Sequence, residues 1–156
     1  MKFRLVWVGS IADNALRGLT ERYMERIRHF FPLEVIEVRS ERNRQKKSDA
    51  AIMRAESASL MAVLPPQGVT IVVDPRGQMV DSLKFSEWLE RVTTTNPHGA
   101  TFVMGGDVGM DDAIRERADR VLALSAMTLP HEIARLVLVE QIYRACTIMR
   151  NISYHK

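Results

Sequence analysis

The run Val69-Thr70-Ile71-Val72-Val73 constrains the fold more than any other stretch of this chain. All five residues are β-branched and none is charged, which suits a strand buried on both faces inside a parallel sheet. Four more strand-like runs share the chain with it: 3–8, 34–38, 100–104 and 120–124. Between them the apolar spacing becomes helical. Over 13–31, Leu16, Leu19, Tyr23, Ile27 and Phe30 recur three or four apart until Pro32 stops the run. Ser48 or Asp49 can cap a second helix ending before Pro65-Pro66, and Ser82 a third that runs through Arg91. Asp74-Pro75-Arg76-Gly77 reads as a turn, residues 111–119 as a short helix, and Pro130 as the first position of a last helix reaching Arg150. Alternating strands and helices imply βαβ units, hence an α/β fold with a mainly parallel sheet and helices on both faces. Ligands of such sheets bind outside the carboxyl ends of the strands, so the loops after Val73, Met104 and Leu124 carry the search for function.

Length and composition narrow the classes. The 156 residues amount to one domain, 1–156, and 46% hydrophobic with 26% charged residues is an ordinary globular balance. The single cysteine, Cys146, excludes an internal disulfide or a cysteine-cluster zinc site. No apolar run approaches the ~20 residues that span a bilayer, and no signal peptide is evident, so a cytoplasmic setting without membrane contact is expected. The net charge is only +3, but Arg39, Arg42, Arg44, Lys46, Lys47 and Arg54 face only Glu41 and Asp49 between positions 39 and 54. Such a segment can hold a phosphate backbone, or simply be a solvated loop.

Three late stretches are candidates for chemistry. Gly105-Gly106-Asp107-Val108-Gly109 follows a strand, where glycines admit a ligand close to the backbone or make a tight turn. It is neither the dinucleotide fingerprint nor a P-loop. Leu124-Ser125-Ala126-Met127-Thr128-Leu129 has no charge and no glycine, unusual for a loop. Its peptide groups can read an adenine edge while Met127 and the leucines cover the ring; a strand running into a helix start is the plainer alternative. On the last helix, Glu140 and Arg144 stand at ion-pair spacing within an apolar stripe of Ile133, Leu136, Val137 and Ile148. Leu138, Ile142 and Ala145 make the opposite side apolar too, so one side is expected on the sheet and the other against a second subunit. The tail ends Tyr154-His155-Lys156, where His155 is the one side chain whose type has an unperturbed pKa near neutrality. His29, His98 and His131 share no metal-ligand spacing, and His131 reads as part of a helix start. No metal site is expected.

Taken together, the glycine loop, Leu124 to His131, Glu140-Gln141-Ile142-Tyr143-Arg144-Ala145 and the terminal Tyr-His-Lys resemble the ribosomal large-subunit RNA pseudouridine N3-methyltransferases of the SPOUT class. The resemblance spans the whole chain and is strongest from Val69 onward. Ser153, Met110 and Val73 stand where that family more often has proline, leucine and leucine. The resemblance implies a parallel-sheet SPOUT fold with a C-terminal trefoil knot, a homodimer, and S-adenosyl-L-methionine bound in the knot by Val73, Gly105, Gly106 and Leu124 to Leu129. It implies as acceptor a pseudouridine in 23S rRNA, in the interface stem-loop called helix 69, methylated at N3 in the assembled ribosome. The catalytic group would be His155, Tyr154, Arg144 and Glu140, with His155 or Tyr154 assisting loss of the imide proton and Arg144 steering the base or a phosphate. Arg42, Arg44, Lys46 and Lys47 would grip the rRNA. The alternatives are a small nucleotide-dependent oxidoreductase, which lacks a phosphate-binding glycine pattern here, and a non-enzymatic ribosome-associated RNA-binding factor, which has no use for an adenosine pocket.

Overall fold

The computed structural model describes residues 1–42 and 47–154, so Arg44, Lys46 and His155 lie outside the described residues. The elements in chain order are β1 (Phe3–Val8), α1 (Asn14–Arg28), β2 (Leu33–Val38), α2 (Asp49–Val63) and β3 (Val69–Met79). They continue as α3 (Ser82–Thr95), β4 (Ala100–Met104), α4 (Asp112–Arg117), β5 (Arg120–Ala123) and α5 (His131–Met149). The sheet has the order β2-β1-β4-β3-β5, and every pairing is parallel. Val72 is fully buried in the penultimate strand position, as a run of β-branched residues demands.

Strand alternation divides the core. Phe3, Leu5, Trp7, Ile71, Phe102 and Met104 point to one face, where residues of α1, α3 and α5 join them. Val6, Val8, Val72 and Val103 point to the other and meet Leu60 of α2 and Ile114 of α4. On α5 the sheet-facing side is Leu138, Ile142 and Ala145, while Glu140, Arg144 and Ile148 on the second side are only half-buried.

Local chemistry sets most of the helix starts. Asp13, Ser48, Asp81 and Asp111 each accept a backbone N–H of the first turn. Asp81 therefore takes the capping place expected of Ser82, whose hydroxyl instead donates to Gln141 Oε1 at 2.6 Å. Pro130 stands one residue outside α5, as its cap rather than its first residue. The fifth strand stops at Ala123, which leaves Leu124 to the following loop.

The expected turn at Asp74-Pro75-Arg76-Gly77 lies inside β3 rather than after it, and the Arg76 N–H closes it on Asp74 Oδ1 at 2.9 Å. The strand resumes afterwards and runs to Met79, so that both Val73 and Gln78 pair with Leu122. The residues between them leave the ladder and return to it, and Pro75, which has no N–H to give, falls in that excursion. Gly77 returns so close to β5 that a Cβ there would lie 2.6 Å from the Leu122 carbonyl carbon. Only glycine fits that approach.

Candidate functional site

Three loops at the carboxyl ends of β3, β4 and β5 enclose a cavity of about 740 Å³. The β3 excursion contributes Val73, Asp74 and Pro75, the β4 loop Gly105, Gly106 and Asp107, and the β5 loop residues 124–129 except Ala126. Ala126 is exposed. A Cβ on Gly105 would sit 2.8 Å from Met110 Cγ and 2.9 Å from the Gly109 carbonyl oxygen, so the β4 loop closes only over glycine. In the β5 loop Met127 is 79% exposed, and its N–H donates to Ser125 Oγ at 2.9 Å. That leaves a thioether at the mouth of the cavity.

The cavity's charged groups are carboxylates. Asp74 is 4% exposed, and it accepts from the Arg76 backbone N–H at 2.9 Å, Arg76 Nε at 3.1 Å and Arg115 at 3.1 Å. Burial pushes its carboxyl up, but the hydrogen bonds and charges of the two arginines prevail and hold it below the usual value. Arg115 also donates to the Met110 carbonyl at 2.8 Å, which ties the β3 excursion to the β4 loop. Asp107 lies across the cavity. It meets His131 Nδ1 at 2.5 Å and also pairs with Arg42. Burial, with the nearby Arg135 charge, lowers the His131 pKa below its ordinary value, so the imidazole is neutral at pH 7. Among the described residues the lining holds no lysine or arginine.

The other candidate chemistry gathers at the far end of α5. Arg144 donates to Glu140 Oε1 through Nε at 3.1 Å and a terminal nitrogen at 2.7 Å. Tyr154 donates to the same oxygen at 3.0 Å, and its own oxygen lies 3.0 Å from that of Tyr23. The Arg144 guanidinium stacks 4.9 Å from the Tyr154 ring centroid, and Gln141 holds Glu140 Oε2 at 2.6 Å. Burial and the hydrogen bonds with Tyr23 and Glu140 raise the Tyr154 pKa, so this phenol keeps its proton and serves as a donor rather than a base. Glu140 and Arg144 lie about 9 and 15 Å along the helix axis from Ala134, the last residue of α5 on the cavity wall. Within one chain the two groups are separate.

The comparisons place this geometry in a family. A family model described as "Predicted SPOUT methyltransferase" matches residues 1–155. Curated proteins named "Ribosomal RNA large subunit methyltransferase H" align along the full chain. Those of Trichlorobacter lovleyi and Geobacter sulfurreducens are each 40% identical over 156 residues, covering 99% of both sequences. That of Gemmatimonas aurantiaca is 40% identical and covers 100% of both. The chain belongs to the SPOUT methyltransferase family.

For a SPOUT chain, which uses a methyl-donor cofactor, the lining is informative in what it would reject as well as accept. A phosphate-bearing dinucleotide would meet Asp74 and Asp107 with no described cation in the lining, whereas a donor carrying positive charge would be favoured. Eight of the nine residues expected at a cofactor line this cavity, the exception being Ala126. Of the expected RNA-binding residues, Arg42 stands beside Asp107 and Lys47 pairs with Glu41 at 2.8 Å. Asp74 and His131 are lining residues that sequence reasoning passed over. Asp74 reads as part of a turn and His131 as a helix start, and the approach of Arg115 to the one and of Asp107 to the other comes only through the fold.

Proposed function

We propose that this chain transfers a methyl group from S-adenosylmethionine to N3 of a pseudouridine in the interface stem-loop of 23S rRNA, acting as a single-domain homodimer on the assembled ribosome. The observation that carries the reading is the cavity at the ends of β3, β4 and β5, walled by an uncharged loop whose charged neighbours in the lining are, among the described residues, carboxylates. The names of the relatives support rRNA as the acceptor.

Bound there, S-adenosylmethionine supplies a methyl group already made electrophilic by its sulfonium, so no metal is needed. Residues 124–129 present peptide groups and apolar side chains to the adenosine, and Asp74 and Asp107 favour the cation over neutral or anionic relatives. The β3 excursion and the loops after β4 and β5 are the segments that the family's trefoil knot would thread. The chain's remaining task is to align an imide nitrogen and take its proton. His155 is the proposed acceptor of that proton, and Arg144, fixed by Glu140 and stacked on Tyr154, steers the base or an adjoining phosphate. Because that cluster lies along α5 away from its own cavity, the reading has each cavity served by the tail of the partner subunit. Arg42, Arg44, Lys46 and Lys47 hold the rRNA backbone.

Labelled methyl transfer to ribosomes lacking the modification, run beside free 23S rRNA, tests the reading. Label mapped to the interface stem-loop of ribosomes is expected. Cofactor binding with no label on either RNA would refute the acceptor.

A further inference from the structure

We propose that the crevice between the carboxyl ends of β1 and β4 is a second RNA subsite, which takes an unpaired nucleobase flanking the methylated one and reads an N–H of that base with Glu56. The proposal rests on the rRNA methyl-transfer reading above and assigns a further contact to the same substrate.

The topology opens the crevice. The chain leaves β1 through α1 toward β2 on one side and leaves β4 through α4 toward β5 on the other. Helices α1 and α4 lie on opposite faces of the sheet. The loops after β1 and β4 therefore diverge, which is the switch-point geometry where parallel sheets bind ligands. The resulting space is about 380 Å³ and borders the larger cavity, sharing Gly106, Asp107 and His131 with it.

At its floor stands a carboxylate with an unused oxygen. Glu56 of α2 is 2% exposed. Its Oε1 accepts from the Ser40 hydroxyl at 3.2 Å and the Glu41 backbone N–H at 2.9 Å, but Oε2 has no partner among the described residues. Leaving a buried acceptor unpaired costs its whole desolvation, so a donor delivered by a ligand is strongly favoured. Glycine at 106 keeps the approach clear, since a Cβ there would lie 3.0 Å from this oxygen.

The surroundings select the occupant. The other two carboxylates are engaged, Asp107 by His131 and Arg42, and Glu132 by the Ala12 N–H at 2.6 Å. Three carboxylates, of which Arg42 pairs with only one, repel a phosphate from the floor, while exposed Arg39 next to the lining Ser40 attracts one at the mouth. Val8, Ile52 and Val108 supply apolar walls. A flat neutral ring with an N–H inward and its phosphates outward meets all three conditions. Most of the crevice comes from the loops of β1, β2 and β4 and from α2, with only His131 and Glu132 from the β5 side, so its base is a neighbour of the reacting one.

The test measures methyl transfer to ribosomes lacking the modification, with S-adenosylmethionine affinity determined separately by calorimetry. Glu56→Gln keeps the shape and turns the free acceptor into a donor. It is expected to raise KM for ribosomes by about tenfold or more, with kcat and cofactor affinity retained. Ser10→Phe, at an exposed position on the rim, fills the crevice without touching the core and is expected to do the same. It decides alone if the Glu56 variant does not fold. Unchanged KM in the folded variants overturns the subsite. A loss of cofactor affinity overturns it too and gives the crevice to the adenosine instead. Wild-type chain that transfers no methyl to ribosomes or free rRNA would instead sink the underlying reading, and the subsite with it.

Discussion

The two ends of helix α5 do opposite things. Its first turn, from His131 to Ala134, borders a cavity whose described lining contains no lysine or arginine and whose walls are mostly glycines and apolar side chains, with the carboxylates of Asp74 and Asp107. Its second half carries Glu140 and Arg144 in a closed cluster with Tyr154 and Tyr23, where each polar group already holds a partner. One region is built to hold a ligand and the other to hold a charge in place. A single chain keeps them apart, and on the proposed reading each end of the helix supplies half of a site. The proposed dimer joins the halves.

The comparison can be broken first at the cavity. Gly105→Val drives side-chain atoms into Met110 and the Gly109 carbonyl, and overpacking of that kind should weaken S-adenosylmethionine binding by about 100-fold or abolish it. Calorimetric titration reads this directly, and affinity within threefold of wild type would mean the β4 loop does not form the pocket. Arg144→Ala should act on the other half alone. Losing a positioning group is expected to lower the rate of methyl transfer by about 100-fold while cofactor affinity stays within twofold. Equal loss of both would merge the two regions.

Smaller effects sharpen the picture. Replacing Arg42, Arg44, Lys46 and Lys47 by alanine should weaken ribosome binding and flatten its salt dependence by about one unit of slope for each phosphate no longer neutralised. Filter binding across a salt series measures it. Tyr154→Phe removes the hydroxyl that links Tyr23 to Glu140, and with its two hydrogen bonds gone a loss of roughly three- to tenfold in transfer rate is expected. Because the Tyr154 pKa is raised, the rate in wild type should show no ionisation of this phenol between about pH 6 and 9. On the sheet side of the same helix, burial pushes the Cys146 thiol up to about 12, so a thiol reagent at pH 8 should label it only on unfolding.

Most of the fold was legible because it rests on local signals. The β-branched run at 69–73, the alternation in the other strands and the acidic or serine caps each act within a few residues, and the elements stand nearly where those signals put them. What could not be read depends on segments distant in the chain. Asp74 to Gly77 reads as a turn that ends a strand, but only β5 shows that the strand resumes after it, since Gly77 is required by the Leu122 backbone more than forty positions later. Glu56 looks like an ordinary helix residue, and only the approach of Ser40 and Gly106 makes it a buried carboxylate. Asp107 was visible within its glycine loop, but its pairing with His131 and Arg42 joins three loops that no spacing rule connects. The residues 124–129 were legible as a candidate because charge was missing where a loop normally carries it, a signal that survives without knowledge of the fold.

The division of α5 into two half-sites is tested most directly by mixing two inactive proteins. Gly105→Val carries a sound tail cluster and a ruined cavity, and Arg144→Ala carries the reverse. Co-refolded in equal amounts, they should form mixed dimers with one intact composite site and recover about a quarter of the wild-type rate of methyl transfer to ribosomes, since half the dimers are mixed and each holds one good site of two. No recovery in mixed dimers, verified by differential tagging, would contradict the account and return both halves of the site to the same chain.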